Sequence, residues 1–199
     1  MSQSRSRRSS GRQSRVSRKK SSNTPIIIGA AVLVGVIGLA VFFSLSRNTG
    51  NAAGTYIADQ GPSLHLQNPE DPLPVPHNSN PPTSGYHWGG GVAPWGVQNR
   101  PIADTITVHN LEHGGVIIHY REDLDAASVS QLAELTRTLQ RRNPCIIMQP
   151  RAAAQIDSPV IVTAWTYMLK LESADTNAIT EFFTNRVGRG PEAVCRPSA

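Results

Sequence analysis

The chain has 199 residues, a formal net charge of +5 and a sequence pI near 9.7. The basic residues are unevenly placed: nine of the 19 Lys and Arg lie at or before Arg47, and the ten that follow are outnumbered by 14 Asp and Glu. An acidic C-terminal part has no electrostatic basis for nucleic-acid binding, so we expect no nucleic-acid partner.

The first 24 residues hold eight Arg and Lys, no acid and almost no apolar side chain. This composition predicts a disordered basic tail over 1–24. Residues 26–45 are twenty uncharged, mostly apolar positions, enough at about 1.5 Å per residue to cross the hydrocarbon core of a bilayer. We predict one transmembrane helix over 25–46, with the lipid bilayer as its partner. The cations before it place the tail in the cytoplasm and the rest of the chain outside it.

Residues 47–63 are predicted to be a linker. The next stretch, 64–102, contains eight prolines and several glycines, which exclude a helix and favour ordered turns. It also carries Tyr86, Trp88 and Trp95, large side chains that a flexible linker seldom needs. We therefore expect this Pro/Gly-rich segment to wrap around the domain that follows and to pack on it.

Regular patterns begin after residue 103. Apolar or β-branched runs predict four strands, at 104–109, 116–120, 145–149 and 159–171. Apolar residues at helical spacing predict two helices, at 123–143, with Asp123 or Asp125 as its cap, and at 175–187, with Asp175 as its cap. This order predicts an α+β domain over 64–197, a small sheet with two helices on one face. A thioredoxin-like and a ferredoxin-like layout both fit.

The two cysteines, Cys145 and Cys195, both fall in the part predicted to be exported. In an oxidising compartment an even pair most simply forms one disulfide. The absence of a C-x-x-C pair from the sequence argues against a thioredoxin-type oxidoreductase. We expect the bridge to attach the C-terminus to the core.

All six histidines lie between residues 65 and 119, and three of them fall in TVHNLEHGGVIIHY at 107–120. HNLEH matches the H-x-x-E-H pattern of inverted zinc peptidases, in which a helix presents both histidines on one face. The preceding TITV is poor in helix formers and Gly114-Gly115 follows, so the sequence predicts at most one helical turn here. That expectation disfavours a peptidase.

Histidines from separate segments can still share an ion, because imidazole binds zinc, copper, nickel and iron. We predict a copper or zinc site formed by His87, His109 and His113. Glu112 and His119 are predicted to lie around this site, with Glu112 orienting an imidazole. Strand alternation, however, places His119 on the opposite side of the strand from Ile118 and Tyr120. In the competing interpretation the histidines are structural and bond to backbone carbonyls.

Four stretches carry a resemblance to a known family: NPPTSGYHW (80–88), HNLEHGGVIIHY (109–120), VTAW (162–165) and GRGPE (188–192). Together they resemble the bacterial domain of unknown function family 3105, over most of the part predicted to be exported. The resemblance implies an N-terminal anchor followed by an exported domain, and therefore a single-pass protein of the bacterial cell membrane. It implies no activity.

Three functions agree with these features. The first is a membrane-anchored exported domain that binds copper or zinc through its histidines. The second is a scaffold or partner-binding module with structural histidines, whose protein partner is unknown. The third is a metal-dependent hydrolase. The sequence shows neither a pair of carboxylates placed for acid–base chemistry nor a G-x-S-x-G motif, so we expect a binding protein in preference to an enzyme.

Overall fold

The computed structural model describes residues 52–192 and 194–196. The predicted basic tail and transmembrane helix lie outside these residues, as does the first part of the linker, and they stay predictions. Across the ranges described, no helix is both long and apolar enough to cross a membrane.

Eight strands and three α-helices are found in this part of the chain. The strands are β1 (Thr55–Tyr56), β2 (His65–Leu66), β3 (His87–Trp88), β4 (Gly96–Val97), β5 (Val116–Arg121), β6 (Ile146–Arg151), β7 (Val160–Ala164) and β8 (Tyr167–Leu171). The helices are α1 (Asp104–Glu112), α2 (Ala126–Gln140) and α3 (Thr176–Arg186). The prediction of an α+β domain is confirmed.

Six strands form one mixed sheet in the order β1-β8-β7-β5-β6-β4, and β2 and β3 form a separate parallel pair. β5 and β6 run parallel and are joined by α2, while β7 and β8 form an antiparallel hairpin that leads into α3. A ferredoxin-like β-α-β-β-α-β order needs a further strand after its second helix, and the described residues contain none after α3. The strand order is compatible with the thioredoxin-like alternative.

Helices α2 and α3 pack on the same face of the sheet. Ile118 of β5 lies with Leu132 of α2 and Phe182 of α3 in the largest apolar cluster, and all three are fully buried. Asp125 and Asp175 cap the two helices: the carboxylate of Asp125 accepts one backbone N–H group of the first turn, and that of Asp175 accepts two. Both helices therefore follow from signals that the sequence carries locally.

The prediction of one strand over 159–171 is wrong, because β7 and β8 are separate strands joined by a turn at Trp165 and Thr166. Thr166 has a φ of 57°, a left-handed conformation that threonine rarely adopts. Its backbone N–H donates to the carbonyl of Thr83 at 3.0 Å, so the Pro/Gly-rich segment supports the turn. Neither Asn nor Gly occupies the turn, and the sequence therefore lacks the usual hairpin signal.

The prediction of a strand over 104–109 is also wrong, because these residues begin α1. Four successive residues here are β-branched and have low helix propensity, but tertiary packing outweighs that preference. Val108 and Leu111, one turn apart, are buried in a second apolar cluster with Ile117 of β5 and with Trp165. Because Ile117 and its neighbour Ile118 point to opposite faces of the sheet, α1 is a third helix, on the face opposite α2 and α3.

The Pro/Gly-rich segment packs on the domain beside α1. Trp95 packs against the second apolar cluster. The backbone N–H of Ala93 donates to the side-chain oxygen of Asn110 at 2.8 Å, and the Asn110 amide donates to the Ala93 carbonyl at 2.9 Å. These bonds join the segment that contains β3 to α1.

The last described residues pack on the C-terminal end of α1. Gly114 has a φ of 90° and closes the helix in the way that glycine favours. The closing segment, residues 188–192 and 194–196, meets this end through backbone bonds of 2.8–3.1 Å that run from the N–H groups of Gly188, Glu192 and Cys195 to the carbonyls of Gly114, Glu112 and His113. The predicted Cys145–Cys195 disulfide is confirmed and attaches the segment to the start of β6.

Substitution Gly190→Ala is expected to destabilise the domain by about 1–3 kcal/mol, the range for overpacking. A methyl group at this position would lie 2.2 Å from the Glu112 carbonyl oxygen and 2.3 Å from the Gly114 nitrogen, so the closing segment would have to leave the end of α1. Urea unfolding measures the loss. Gly91→Ala is the matched control, because its methyl group would meet its nearest atom, a Trp88 side-chain carbon, at 3.8 Å. Equal unfolding midpoints for wild type and Gly190→Ala would contradict this packing.

Candidate metal centre

The strand pair β2–β3 and helix α1 bring four side chains that can bind a metal to one place. In the parallel pair of β2 and β3, His65 lies directly opposite His87. On α1, His109 and Glu112 are three residues apart and share one side of the helix. Helix α1 contacts β3, so the helical pair meets the strand pair.

Nitrogen or carboxylate oxygen atoms of His65, His87, His109 and Glu112 all lie within 4.8 Å of one another. Glu112 Oε2 is 2.8 Å from His87 Nε2 and 3.7 Å from His65 Nε2. The ring centres of His87 and His109 are 5.1 Å apart. These four residues are named the inner set.

Backbone carbonyls hold the rings of His87 and His109. His87 Nδ1 donates to the carbonyl of Gly85 at 2.9 Å, and His109 Nδ1 donates to that of Gly91 at 3.0 Å. A carbonyl oxygen only accepts, so Nδ1 carries the ring proton in both residues, and Nε2 of the neutral imidazole keeps a lone pair. Metal-binding histidines almost always have their second nitrogen occupied in this way.

Two buried atoms of the inner set, His87 Nε2 and Glu112 Oε2, have no hydrogen-bond partner. They are 2.8 Å apart, but a neutral imidazole and a carboxylate each present a lone pair at this contact, so neither atom donates a hydrogen bond to the other. The other carboxylate oxygen, Oε1, accepts the backbone N–H of Ser63 at 2.5 Å. Buried polar atoms are seldom unpaired, so His87 Nε2 and Glu112 Oε2 would both be satisfied by an electropositive partner between them.

The inner set is buried at one end and open at the other. The side chains of His87 and Glu112 are fully buried, whereas that of His65 is 43% exposed. Burial lowers the pKa of His87, although its bond to Gly85 and the Glu112 carboxylate act in the opposite direction. The lowered pKa favours the neutral imidazole, which is the form that binds metals.

A second group of ligand-type residues shares His109. His113, the C-cap residue of α1, and Glu192 of the closing segment offer atoms that lie within 4.8 Å of each other and of a His109 nitrogen. His113 Nε2 is 2.8 Å from Glu192 Oε2, and these side chains are 20% and 37% exposed. Burial lowers the pKa of His113, and the neighbouring His109 lowers it further. His109, His113 and Glu192 are named the outer set.

The predicted ligands are divided between the two sets. His87 and His109 meet in the inner set, while His113 belongs to the outer set. Glu112, predicted to orient an imidazole, contacts His87 directly and offers an oxygen of its own. The expectation of at most one helical turn is wrong, since α1 has nine residues and ends at Glu112.

His119, predicted to surround the site, belongs to neither set. Its Nε2 donates to the hydroxyl of Thr163 at 3.1 Å, and its Nδ1 accepts from the Gln149 amide at 3.3 Å. Burial, together with the nearby charge of Arg151, holds the pKa of His119 well below its ordinary value. It is a neutral, hydrogen-bonded side chain of the sheet.

Sequence reasoning did not find His65 and Glu192. His65 reaches His87 through a ladder only two residues long, which has no recognisable sequence pattern. Glu192 lies in GRGPE, far along the chain from HNLEHGG. The disulfide is the one sequence signal that constrains the position of this segment. It fixes Cys195, whose backbone N–H donates to the carbonyl of His113 at the end of α1.

Comparison with known proteins identifies a family. No curated protein and no solved structure matches the chain. A family model described as a protein of unknown function (DUF3105) matches residues 71–197, a range that includes His87, all of α1 and Glu192 but begins after His65. The matched range covers more than half of the chain and confirms the resemblance seen in the sequence: the chain belongs to the DUF3105 family of proteins of unknown function.

Proposed function

We propose that this protein binds one transition-metal ion in the inner set, where three histidines supply nitrogen and Glu112 supplies oxygen. The observation that carries the proposal is the unpaired contact between His87 Nε2 and Glu112 Oε2, two buried lone-pair atoms. A cation bound to both atoms removes their repulsion and satisfies them. The ring protons on Nδ1 of His87 and His109 support the proposal, because they leave Nε2 free for an ion.

The donor atoms favour zinc or copper(II). Three imidazoles and one carboxylate suit four-coordinate zinc, and copper(II) generally binds a given set of such ligands more tightly than zinc. Copper(I) prefers sulfur. Met148 and Met168 lie in apolar clusters, and both cysteines are in the disulfide, so these sulfur atoms are not offered to the inner set.

The proposed role is to hold or deliver this ion outside the cytoplasm. The predicted transmembrane helix over 25–46 would anchor the domain to the bacterial cell membrane, with the residues after it on the outer side. Because the ring of His65 is exposed, we expect the bound ion to exchange with solvent and not to be permanently enclosed.

A metal-dependent hydrolase has one observation in its favour, the position of H-x-x-E-H on α1. In the peptidases this pattern works because the glutamate acts as a base beside the metal-bound water. Here the Glu112 carboxylate is fully buried, its Oε1 accepts the N–H of Ser63, and its Oε2 contacts His87. These contacts keep it from a substrate, and they favour a binding site over a catalytic one.

The test is metal uptake by the full-length chain, purified in detergent without an oligohistidine tag. After exposure to zinc or copper(II) and removal of free ion, elemental analysis should find about one ion per chain, and thermal unfolding should move to higher temperature because the ion binds the native state. Magnesium prefers oxygen ligands and should do neither. His77→Ala is the control variant and should keep the ion, because the His77 ring contacts the Tyr86 carbonyl outside both sets.

Retention of neither zinc nor copper would contradict the proposal and favour the structural interpretation of the histidines. An equal shift in unfolding temperature with magnesium would contradict imidazole ligands.

A further inference from the structure

The proposed function makes no use of His113 and Glu192, the two residues that belong to the outer set alone. The N–H of Glu192 donates to the Glu112 carbonyl at 3.1 Å, and that of Cys195 donates to the His113 carbonyl at 2.9 Å. The disulfide fixes Cys195 in turn. The rings of His109 and His113 are 4.5 Å apart. The outer set is therefore preorganised, because its side chains project from two backbone segments that are bonded to each other.

His109 cannot serve both sets at the same time. A neutral imidazole has one nitrogen with a lone pair, and the Nδ1 proton of His109 is bonded to the Gly91 carbonyl. An ion in the outer set therefore excludes an ion from the inner set, and the reverse holds as well.

We propose that the outer set is an entry position, which takes a zinc or copper(II) ion from solvent and passes it to the inner set while His109 stays bound to it. The inference rests on the proposed function. Exposure falls along this route, from 37% for the Glu192 side chain and 20% for His113 to zero for His87 and Glu112. During the transfer, His113 and Glu192 leave the ion as the inner ligands replace them.

The entry position has a chemical advantage over the competing route past His65. Glu192 adds an exposed carboxylate, which attracts hydrated cations and raises their association rate, whereas His65 contributes only an imidazole. His113 and Glu192 also offer two ligand atoms before the ion has to lose all of its water.

The test is the rate of zinc uptake by the full-length chain in detergent, followed by stopped flow against a zinc-sensitive dye. His113→Gln and Glu192→Gln should each slow uptake about 10-fold or more. Release should slow by the same factor, so stoichiometry and equilibrium affinity should not change. His113→Gln replaces one neutral side chain by another, so a slower uptake in this variant would report the loss of a ligand and not a loss of electrostatic attraction. Glu181→Gln, at an exposed position of α3, removes the same charge elsewhere and is the matched control.

Slower uptake in both variants, with wild-type rates in Glu181→Gln, would support the entry position. Unchanged rates in both, with zinc still bound, would overturn it and leave the inner set intact. If only Glu192→Gln slowed uptake, charge attraction alone would account for the change in rate. If either variant lost stoichiometric binding, the replaced residue would be a ligand of the final site. Both results would contradict the transfer. Two zinc ions per wild-type chain would contradict the exclusion. Failure of the wild type to bind zinc would instead overturn the proposed function.

Discussion

Glu112→Gln is expected to weaken zinc binding by more than about 100-fold. Even the loss of a group that only hydrogen-bonds to a metal ligand lowers metal affinity about 10–100-fold. The same change is expected to stabilise the metal-free domain. The new amide can donate to His87 Nε2, which lies 2.8 Å from the present Oε2. A hydrogen bond worth about 1 kcal/mol then replaces a contact between lone pairs, while the amide oxygen still accepts the N–H of Ser63.

These opposite effects distinguish a metal site from a buried ion pair. If His87 were a permanent imidazolium paired with Glu112, loss of the carboxylate would leave an uncompensated buried charge and cost about 3–5 kcal/mol. Urea unfolding in the presence of a chelator measures the metal-free stability, and zinc titration measures the affinity. Glu181→Gln serves as the control in both measurements. A large destabilisation would contradict the neutral state of His87, and an unchanged affinity would remove Glu112 from the ligands.

Replacement of both Cys145 and Cys195 by Ala is expected to lower the free energy of unfolding by about 4 kcal/mol, the loop-entropy value for a sequence separation of 50 residues. The bridge restricts the unfolded chain, and in the folded protein it holds the closing segment on α1. The Asn143 amide also donates to the Cys195 carbonyl at 2.9 Å, and this bond persists only while the segment stays in place.

Urea unfolding of the oxidised wild type and of the double variant measures this difference. Wild type with its disulfide reduced is the matched control and should unfold close to the double variant. A difference below about 1 kcal/mol, well under the usual range for a native disulfide, would mean that backbone bonds alone hold the closing segment.

The elements predicted correctly are those whose signals lie within the element. Helices α2 and α3 have apolar residues at helical spacing after an aspartate cap, and β5 is a short apolar run before charged residues. Helix α1 has competing signals. Its β-branched residues favour a strand, whereas Gly114 is a typical helix stop. The packing of Val108 and Leu111 decides between them, and that packing depends on β5 and on the turn at Trp165.

The composition of the sequence pointed to the residue types of the candidate site but not to all of its members. The concentration of histidines predicted imidazole ligands and included His87 and His109. Assignment of 104–109 to a strand left Glu112 in a loop, where its direction could not be inferred. Placed on a helix, it shares one side with His109 and reaches His87. The pairing of His65 with His87 depends on how the Pro/Gly-rich segment folds back, which no local pattern encodes.

The most direct measurement is an anomalous difference map, recorded at the zinc edge from crystals of the zinc-loaded protein. An ion in the inner set should give one peak at about 2.0–2.1 Å from Nε2 of His65, His87 and His109, and at about 2.0–2.2 Å from Glu112 Oε2. A peak at a histidine outside both sets, such as His77, would contradict the inner set as the metal site. So would crystals that contain stoichiometric zinc by elemental analysis but show no peak among these four side chains.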